Sequence, residues 1–198
     1  MTTAIIILAA GESSRMGRCK QLLEFQGVGL LDRCIATAIA IPEAQVIVVL
    51  GARAEEIRAT LDPSVVAIVE NPDWQNGMGS SIRSGLLAAL ATHPDLARAI
   101  FLTCDQPFLT PDILEKLIAA HDRTNCLIAA SGYSATLGIP ALFDHSLFPE
   151  LLSLDGAGGA RGIILKHRDR TTEIPFPDGA IDIDTPADHQ RLGHFSNS

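Results

Sequence analysis

Small, hydroxyl-bearing and cationic residues follow the first apolar run of the chain. The loop Gly11-Glu-Ser-Ser-Arg-Met-Gly17 comes directly after a buried-strand pattern, and Lys20 follows shortly after it. Glycine lets the backbone approach a ligand closely and adopt positive φ. Backbone amides, the Ser13 and Ser14 hydroxyls and the charges of Arg15 and Lys20 together favour a polyanion. The pattern predicts a triphosphate site; the alternative is an ordinary strand-to-helix loop with surface charges.

This first loop does not satisfy two common phosphate-binding motifs. A Walker A loop requires Gly-x-x-x-x-Gly-Lys followed by Ser or Thr, and the dinucleotide fingerprint requires Gly-x-Gly-x-x-Gly. The chain has Gly-x-x-x-x-x-Gly between Gly11 and Gly17. The pattern therefore argues against a P-loop kinase and against a nicotinamide-binding oxidoreductase.

Two acidic segments have the chemistry to hold the metal that accompanies a triphosphate. Asp105 follows the β-rich run 99–103, at a strand end where open α/β sheets bind ligands. Asp182 and Asp184 alternate in an extended segment and therefore share one face. Carboxylate oxygens suit Mg²⁺. The alternative is that Asp105 caps a turn, and that Asp182 or Asp184 orders the helix start at Thr185-Pro186.

A third polar segment, Asn71-Pro-Asp-Trp-Gln-Asn-Gly-Met-Gly-Ser-Ser-Ile82, is a loop that enters a predicted helix. The first helical turn is expected to expose amides and the Ser80 and Ser81 hydroxyls, which are groups able to bind a pyrimidine edge. The alternative is ordinary helix capping by Ser80, with Trp74 as local packing.

The elements that must position these groups alternate along the chain. Continuous apolar runs at 4–8, 46–50, 65–69 and 99–103 predict strands covered on both faces. Helical patterns occupy 30–41, 54–61 and 79–91, the last with Ile82, Leu86, Leu87 and Leu90 on one stripe. Thr110 as cap and Pro111 at the first helical position begin a further helix through residue 120. Alternating strands and helices predict an α/β fold with a mostly parallel sheet.

Composition narrows the class of protein. The 198 residues are 47% hydrophobic and 19% charged, which is typical of a folded chain, and the net charge of -8 argues against a nucleic-acid partner. No apolar run approaches the length of a membrane span, and the first run lacks the features of a signal peptide. Four scattered cysteines and six histidines without paired metal spacing indicate packed, reduced thiols and a cytoplasmic protein.

The first loop also carries a resemblance to a known family. Residues 8–20 read Leu-Ala-Ala-Gly-x-Ser-x-Arg-Met-Gly-x-x-Lys, which closely resembles the signature of the molybdenum cofactor nucleotidyltransferases, a MobA/MocA-like branch of the nucleoside triphosphate transferase superfamily. The resemblance implies a three-layer Rossmann-like fold of the nucleotide-diphospho-sugar transferase type, with helices on both faces of the sheet. It covers nearly the whole chain, so we expect one domain over residues 1–198, with a frayed tail at 193–198.

The same resemblance implies roles for particular residues. Lys20, Arg15 and Asp105 are expected to be catalytic, and Asp105 and Asp184 to bind Mg²⁺. The acceptor is expected to contact Gly138, Pro140 and Arg161, although Arg161 alone would suggest an exposed surface residue. The expected nucleotide-binding residues are Leu8, Ala9, Ala10, Gly11, Ser13, Ser14, Arg15, Lys20, Asn71, Gly79, Ser80 and Ser81.

Two departures from the family pattern concern the acceptor. The second acceptor segment usually reads Gly-Asp-x-Gly-Ala-Arg, whereas this chain has Ala157 in place of the carboxylate. Asp155 is a substitute if the register shifts. The first segment usually has His or Asn where Ile139 stands. These differences bear on which phosphorylated acceptor is bound.

The resemblance implies transfer of CMP from CTP to the molybdopterin form of the molybdenum cofactor, with release of pyrophosphate. Ala9-Ala10-Gly11 resembles the CTP-using branch, since the guanylyl branch typically has Ala-Gly-Gly. Transient contact with a molybdoenzyme or its chaperone is also implied. Two alternatives stay open: a related nucleotidyltransferase for another phosphorylated metabolite, and a non-catalytic cofactor-binding or delivery protein.

Overall fold

A computed structural model describes residues 1–13, 19–156, 158–183 and 188. These residues form nine strands and six α-helices. The strands are β1 (Thr3–Ala9), β2 (Glu24–Phe25), β3 (Val28–Gly29), β4 (Ala44–Leu50), β5 (Ala67–Glu70), β6 (Arg98–Thr103), β7 (Ile128–Tyr133), β8 (Thr136–Asp144) and β9 (Thr171–Pro175). The helices are α1 (Leu30–Ile39), α2 (Ala54–Arg58), α3 (Met78–Thr92), α4 (Pro111–Thr124), α5 (Phe148–Leu152) and α6 (Ala160–Lys166).

Seven strands make one central sheet in the order β5-β4-β1-β6-β8-β7-β9, and β2 pairs with β3 in a separate hairpin. β1 lies between β4 and β6 and is parallel to both, while β8 runs antiparallel to its neighbours β6 and β7. The sheet is therefore mostly parallel, as the sequence predicts.

Two apolar clusters cover the two faces of this sheet. Ile5 and Ile7 of β1 pack with α1, α2 and α4, whereas Ala4 and Ile6 pack with α3, α5 and α6 on the other face. The side chains of Ile5, Ile6 and Ile7 are fully buried because helices cover both faces. The three-layer arrangement with helices on both faces is thus confirmed.

The predicted elements agree with the structure except at particular ends. Residues 65 and 66 precede β5 in a turn in which both amides donate to the Asp62 carbonyl oxygen. α2 ends at Arg58 rather than at residue 61. The Thr60 and Leu61 amides donate to carbonyl oxygens three residues back, as in a 3-10 turn, and Pro63 follows shortly after. Thr110 precedes α4 as predicted, but its hydroxyl makes no capping hydrogen bond.

The predicted apolar stripe of α3 is wrong at Leu87, whose side chain is 56% exposed. The buried stripe instead contains Ile82, Leu86 and Ala89, together with Gly85. Gly85 and Ala89 are small, and this lets α3 lie close to the sheet. Leu87 therefore faces outward.

The carboxyl-terminal third contains structure that the sequence pattern left undefined. β7, β8 and β9 extend the sheet beyond β6, and β7 pairs with β9 in parallel. A register shift interrupts the β7–β8 pairing between Ala130 and Ser131. This part of the sheet carries the segments expected to border the acceptor.

A search of the described residues finds no helix that is long and apolar enough to cross a membrane. All four cysteines are buried and free, as the sequence predicts.

Two helical glycines allow a matched test of the close packing of α3. A Cβ at Gly85 would lie 2.4 Å from Ile6 Cγ2 and 2.9 Å from Val49 Cγ2, whereas a Cβ at Gly162 of α6 meets nothing within 4 Å. Ala has a higher helix propensity than Gly by about 1 kcal/mol, but overpacking a core costs about 1–3 kcal/mol. Gly85→Ala is expected to lower the midpoint of thermal unfolding by several degrees, and Gly162→Ala to leave it unchanged or raise it. A Gly85→Ala protein at least as stable as Gly162→Ala contradicts this packing.

Candidate functional site

A cavity of about 390 Å³ opens at the carboxyl ends of β1 and β6. This volume is within the range of about 300–1,000 Å³ typical of small-molecule sites. The cavity is lined by Leu8, Ala10, Gly11, Glu12, Ser13, Lys20, Gln21, Trp74, Gln75, Gly77, Met78, Ser81, Thr103, Cys104 and Asp105. Three segments that are far apart in the sequence thus meet at one edge of the sheet, where open α/β folds bind ligands.

An ion pair joins two of these segments. Lys20 Nζ lies 2.9 Å from Asp105 Oδ2, and their side chains are only 15% and 21% exposed. Lys20 begins a short 3-10 turn (Lys20–Leu22), and Asp105 follows the end of β6. Limited exposure reduces screening by solvent and salt. The interaction between the two charges is therefore stronger than at the protein surface. Both residues line the cavity, so the pair places a cation and a carboxylate on one wall.

The first loop is held by Gln21, a residue that the sequence interpretation missed. Its side chain is 3% exposed. Its amide nitrogen donates to the carbonyl oxygens of Ala9 (3.1 Å) and Gly11 (2.9 Å), and its oxygen accepts from Ser13 Oγ (3.1 Å) and Cys19 Sγ (3.2 Å). Two donors and two acceptor sites are all that a primary amide offers. Gln21 therefore ties the end of β1 to both sides of the loop.

Ser13 takes a strained conformation within this loop. Its φ of 58° is in the left-handed region, which is uncommon for residues other than glycine. Its hydroxyl donates to Gln21 and accepts from the Lys20 backbone amide at 3.2 Å. These two bonds offset the cost of the conformation and join Ser13 to the turn that carries Lys20.

A second buried amide, Asn71, organises the segment 71–81. Asn71 Nδ2 donates to Ser80 Oγ (2.8 Å) and Ser81 Oγ (3.0 Å), and Asn71 Oδ1 accepts from the Asp73 amide (3.0 Å). Ser80 in turn donates to the carbonyl oxygens of Asp73 and Gly77. Asn71 and Ser80 are each 1% exposed and do not line the cavity. Ser81 lines it and is the hydroxyl that this segment presents.

The first turn of α3 exposes fewer amides than the sequence suggests. The Gly79 amide donates to the Gly156 carbonyl oxygen at 3.1 Å, and the Ser80 amide to the Gly77 carbonyl oxygen at 3.1 Å. A Cβ at Gly79 would lie 2.4 Å from the Asp155 carbonyl oxygen. Glycine at position 79 is therefore explained by close approach of the loop before α6.

The cavity contains a thiol that stays neutral. Burial and the Asp105 carboxylate raise the pKa of Cys104 to about 12. At neutral pH the thiol is protonated, and a protonated thiol is a poor nucleophile and a poor metal ligand. Within the described residues, no group of three histidine, cysteine or acidic side chains is placed to hold a metal ion.

The expected acceptor residues lie to one side of the cavity. The Ile139–Pro140 peptide bond is cis, and Tyr133 Oη donates to the Ile139 carbonyl oxygen at 2.9 Å. A Cβ at Gly138 would lie 2.3 Å from Tyr133 Oη, so glycine at position 138 leaves room for the Tyr133 hydroxyl group. Burial raises the pKa of Tyr133, and the nearby Arg161 partly offsets this rise.

Gln106 connects this region with Asp105. Gln106 Nε2 donates to the Ile139 carbonyl oxygen (3.2 Å) and to the Gly179 carbonyl oxygen (3.0 Å). The Ile183 amide donates to the Asp105 carbonyl oxygen at 3.1 Å. Ile183 therefore lies beside Asp105.

The structure brings together about half of the residues predicted for the site. Those that line the cavity are Leu8, Ala10, Gly11, Ser13, Lys20, Ser81 and Asp105. Those that lie outside its wall are Ala9, Asn71, Gly79, Ser80, Gly138, Pro140 and Arg161. Ser14, Arg15, Asp184 and Ala157 fall outside the described residues. Their assigned roles stay predictions.

Comparison with known proteins identifies relatives over most of the chain. A model of the MobA-like NTP transferase domain matches residues 5–171. The nicotine blue oxidoreductase of Paenarthrobacter nicotinovorans is 34% identical, over 79% of this chain and 78% of that protein. The molybdenum cofactor cytidylyltransferase of Escherichia coli K12 is 29% identical (92% and 91% covered). The molybdenum cofactor guanylyltransferase of Rhodobacter capsulatus is 30% identical (96% and 95% covered).

Solved structures agree with this relationship. A Mycobacterium tuberculosis Rv0371c homologue from Mycobacterium sp. strain JC1 has a TM-score of 0.83 at 30% identity, covering 98% of this chain and 96% of its own. The manganese complex of Rv0371c has a TM-score of 0.76 at 26% identity (97% and 98% covered). A nucleotidyl transferase from Methanothermobacter thermautotroptrophicus shares the fold, with a TM-score of 0.80 at 21% identity (98% of both chains covered).

These likenesses confirm the predicted nucleotide-diphospho-sugar transferase type of fold. The domain match spans most of the chain and contains Lys20, Asp105 and the segment 71–81. The chain therefore belongs to the MobA-like NTP transferase family and is a nucleotidyltransferase of that family.

Proposed function

We propose that residues 1–198 act as one Mg²⁺-dependent cytidylyltransferase domain. It transfers CMP from CTP to the molybdopterin form of the molybdenum cofactor and releases pyrophosphate. The observation that carries this proposal is the cavity wall on which Lys20 and Asp105 face each other beside the first loop. Support also comes from the E. coli cytidylyltransferase, which is similar over 92% of the chain.

The residues on this wall suit transfer of a nucleotidyl group. An oxygen of the acceptor's phosphate bonds to the α-phosphorus of CTP, and the bond from that phosphorus to the bridging oxygen breaks, so the electron pair leaves with pyrophosphate. Such a transfer needs positioning and charge stabilisation rather than a side-chain nucleophile. Lys20 supplies a fixed positive charge, and Ser13 and Ser81 supply hydroxyls on the same cavity.

Asp105 fits the metal that the proposal requires. Its carboxylate is an oxygen donor at the cavity wall, and Oδ2 already faces a cation, the Lys20 ammonium. Mg²⁺ would be held by Asp105 and by Asp184, and it would supply positive charge against the triphosphate. The related Rv0371c structure is a manganese complex, which supports a divalent cation here.

Ala10 supports CTP as the nucleotide. Its side chain is 5% exposed and forms part of the cavity wall, and its Cβ lies 2.8 Å from where a Cβ at Gly51 would stand. Since Ala9-Ala10-Gly11 resembles the CTP-using branch, we infer that alanine at position 10 favours the smaller pyrimidine. The alternative nucleotide is GTP, because the guanylyltransferase of R. capsulatus is as similar as the cytidylyltransferase, at 30% against 29% identity.

The acceptor is proposed to lie beside Tyr133 and Arg161, against Gly138 and Pro140. Both Tyr133 and Gln106 bind the Ile139 carbonyl oxygen, which holds this segment next to Asp105.

The four buried free thiols are consistent with action in a reducing cytoplasm. A product of this kind is consumed by a molybdoenzyme, so transient contact with such an enzyme or its chaperone belongs to the proposal.

The proposal is tested by pyrophosphate release with each of the four ribonucleoside triphosphates, Mg²⁺ and purified molybdenum cofactor. CTP is expected to give the highest kcat/KM, and omission of either Mg²⁺ or the acceptor to abolish release. Equal turnover with every triphosphate, or none with any, contradicts it. Because one relative is named an oxidoreductase, the same samples should be checked for oxidation of NADH or NADPH, which is expected to be absent.

The Lys20–Asp105 pair is tested by single substitutions. Lys20→Met and Asp105→Asn are each expected to lower kcat by about a hundredfold or more, because each removes a charge that acts on the transferring group. Lys116→Met is the control, since Lys116 is exposed, pairs with the exposed Asp112 of α4 and does not line the cavity. Circular dichroism and thermal unfolding should verify folding. A kcat near wild type in Lys20→Met rules out the assigned role.

Ala10→Gly tests the nucleotide preference. Removal of the methyl enlarges the cavity, and it is expected to raise the ratio of kcat/KM for GTP to that for CTP by about tenfold. Ala52→Gly is the control, because Ala52 donates its amide to the Ala10 carbonyl oxygen but does not line the cavity. An unchanged ratio in Ala10→Gly would mean that Ala10 does not select the base.

A further inference from the structure

Trp74 lines the wall of the nucleotide cavity. It is the only tryptophan of the chain and is partly buried. Ring pairs and cation contacts among the described residues involve other aromatics, and no hydrogen bond from the indole nitrogen to a described residue occurs. None of these interactions with the described residues therefore accounts for a tryptophan at the cavity wall.

The backbone holds Trp74 in place at the mouth of the cavity. Trp74 begins a 3-10 turn (Trp74–Asn76), and the Gly77 amide donates to its carbonyl oxygen at 3.0 Å. A Cβ at Gly51 would lie 2.6 Å from Trp74 Cβ and 2.7 Å from the Ala10 carbonyl oxygen. Glycine at position 51 is thus what allows both Trp74 and Ala10 to lie against the end of β4. An aromatic ring held this way needs little reorganisation on binding.

The chemistry of the cavity changes from one side to the other. Lys20, Asp105 and Ser13 form a polar side suited to a triphosphate. Trp74, Met78, which is 45% exposed, and Ala10 line the same cavity and are apolar or polarisable residues. A ligand that matches both kinds of surface is polyanionic at one end and carries a flat ring at the other.

We propose that the nucleobase stacks on the indole ring of Trp74 and that Met78 contacts the edge of that base. The assignment rests on the proposed function only in placing a nucleoside triphosphate in this cavity. Stacking of a base on an aromatic side chain tolerates different bases, because every base has a π face. Trp74 thus contributes affinity, while the choice between bases lies with other residues of the wall.

Because Trp74 is the only tryptophan, its emission reports on this site alone. CTP titrated with Mg²⁺ is expected to change the emission, whereas inorganic tripolyphosphate, which has no base, is expected to bind without that change. Calorimetry should give a dissociation constant for CTP about tenfold or more higher in Trp74→Leu, with an unchanged one for tripolyphosphate. Trp74→Phe is expected to retain most of the affinity.

Leu87→Ala is the matched control, since Leu87 is an exposed apolar residue of α3 that does not line the cavity. Thermal unfolding of all variants separates loss of stacking from loss of folding, and Trp74→Phe keeps the test valid if Trp74→Leu does not fold. Wild-type CTP affinity in Trp74→Leu, or equal weakening of CTP and tripolyphosphate, overturns the assignment. CTP-specific weakening without pyrophosphate release would uphold Trp74 and reject the proposed transfer. Absence of CTP binding to the wild type would reject both.

Discussion

The parallel pairing of β1 with both β4 and β6 is the constraint on which the site depends. Leu8 is level with Thr103 of β6, and Ala9 is level with Leu50 of β4, so the three strands end together. Every loop that leaves these strands therefore opens at one edge of the sheet. Side chains of β1 are buried on both faces, which makes this register costly to change. The ion pair between residues 20 and 105 is possible only because this register brings the two loops together.

Two buried amides carry this constraint into the loops. Gln21 donates to backbone carbonyl groups at the start of the first loop and accepts from the Cys19 thiol after it, and Asn71 donates to the two serines in the first turn of α3. A buried amide is tolerated only when its hydrogen bonds are made, so each of these side chains admits few alternative loop conformations. The cavity wall is accordingly formed before any ligand arrives. Such preorganisation suits a reaction that depends on positioning and charge.

The sheet beyond β6 is built differently. There β8 runs antiparallel between β6 and β7. The Tyr133 hydroxyl and the Gln106 side-chain amide both donate to the Ile139 carbonyl oxygen, next to the cis peptide bond before Pro140. The loop before α6 also binds the first turn of α3 through Gly79 and Gly156. The segment 71–81 and the loop before α6 are thus packed against one another, so a change in that loop reaches this wall of the cavity directly.

The sequence by itself determined the α/β class, the parallel core strands and the first loop with Lys20 and Asp105, because these follow from local hydrophobic periodicity and from residues at strand ends. It did not determine Gln21 or Trp74 as parts of the cavity, since a glutamine beside a lysine and a lone tryptophan carry no periodic signal. The sequence also misplaced Leu87 and left β7 to β9 undefined. Only the tertiary structure decided these, because burial on α3 depends on which helix face meets the sheet, and β8 pairs with strands distant in the chain. The assignment of Asn71 and Ser80 shows the same limit: their polarity is evident from sequence, but whether a polar group faces a ligand or another buried group depends on what folds against it.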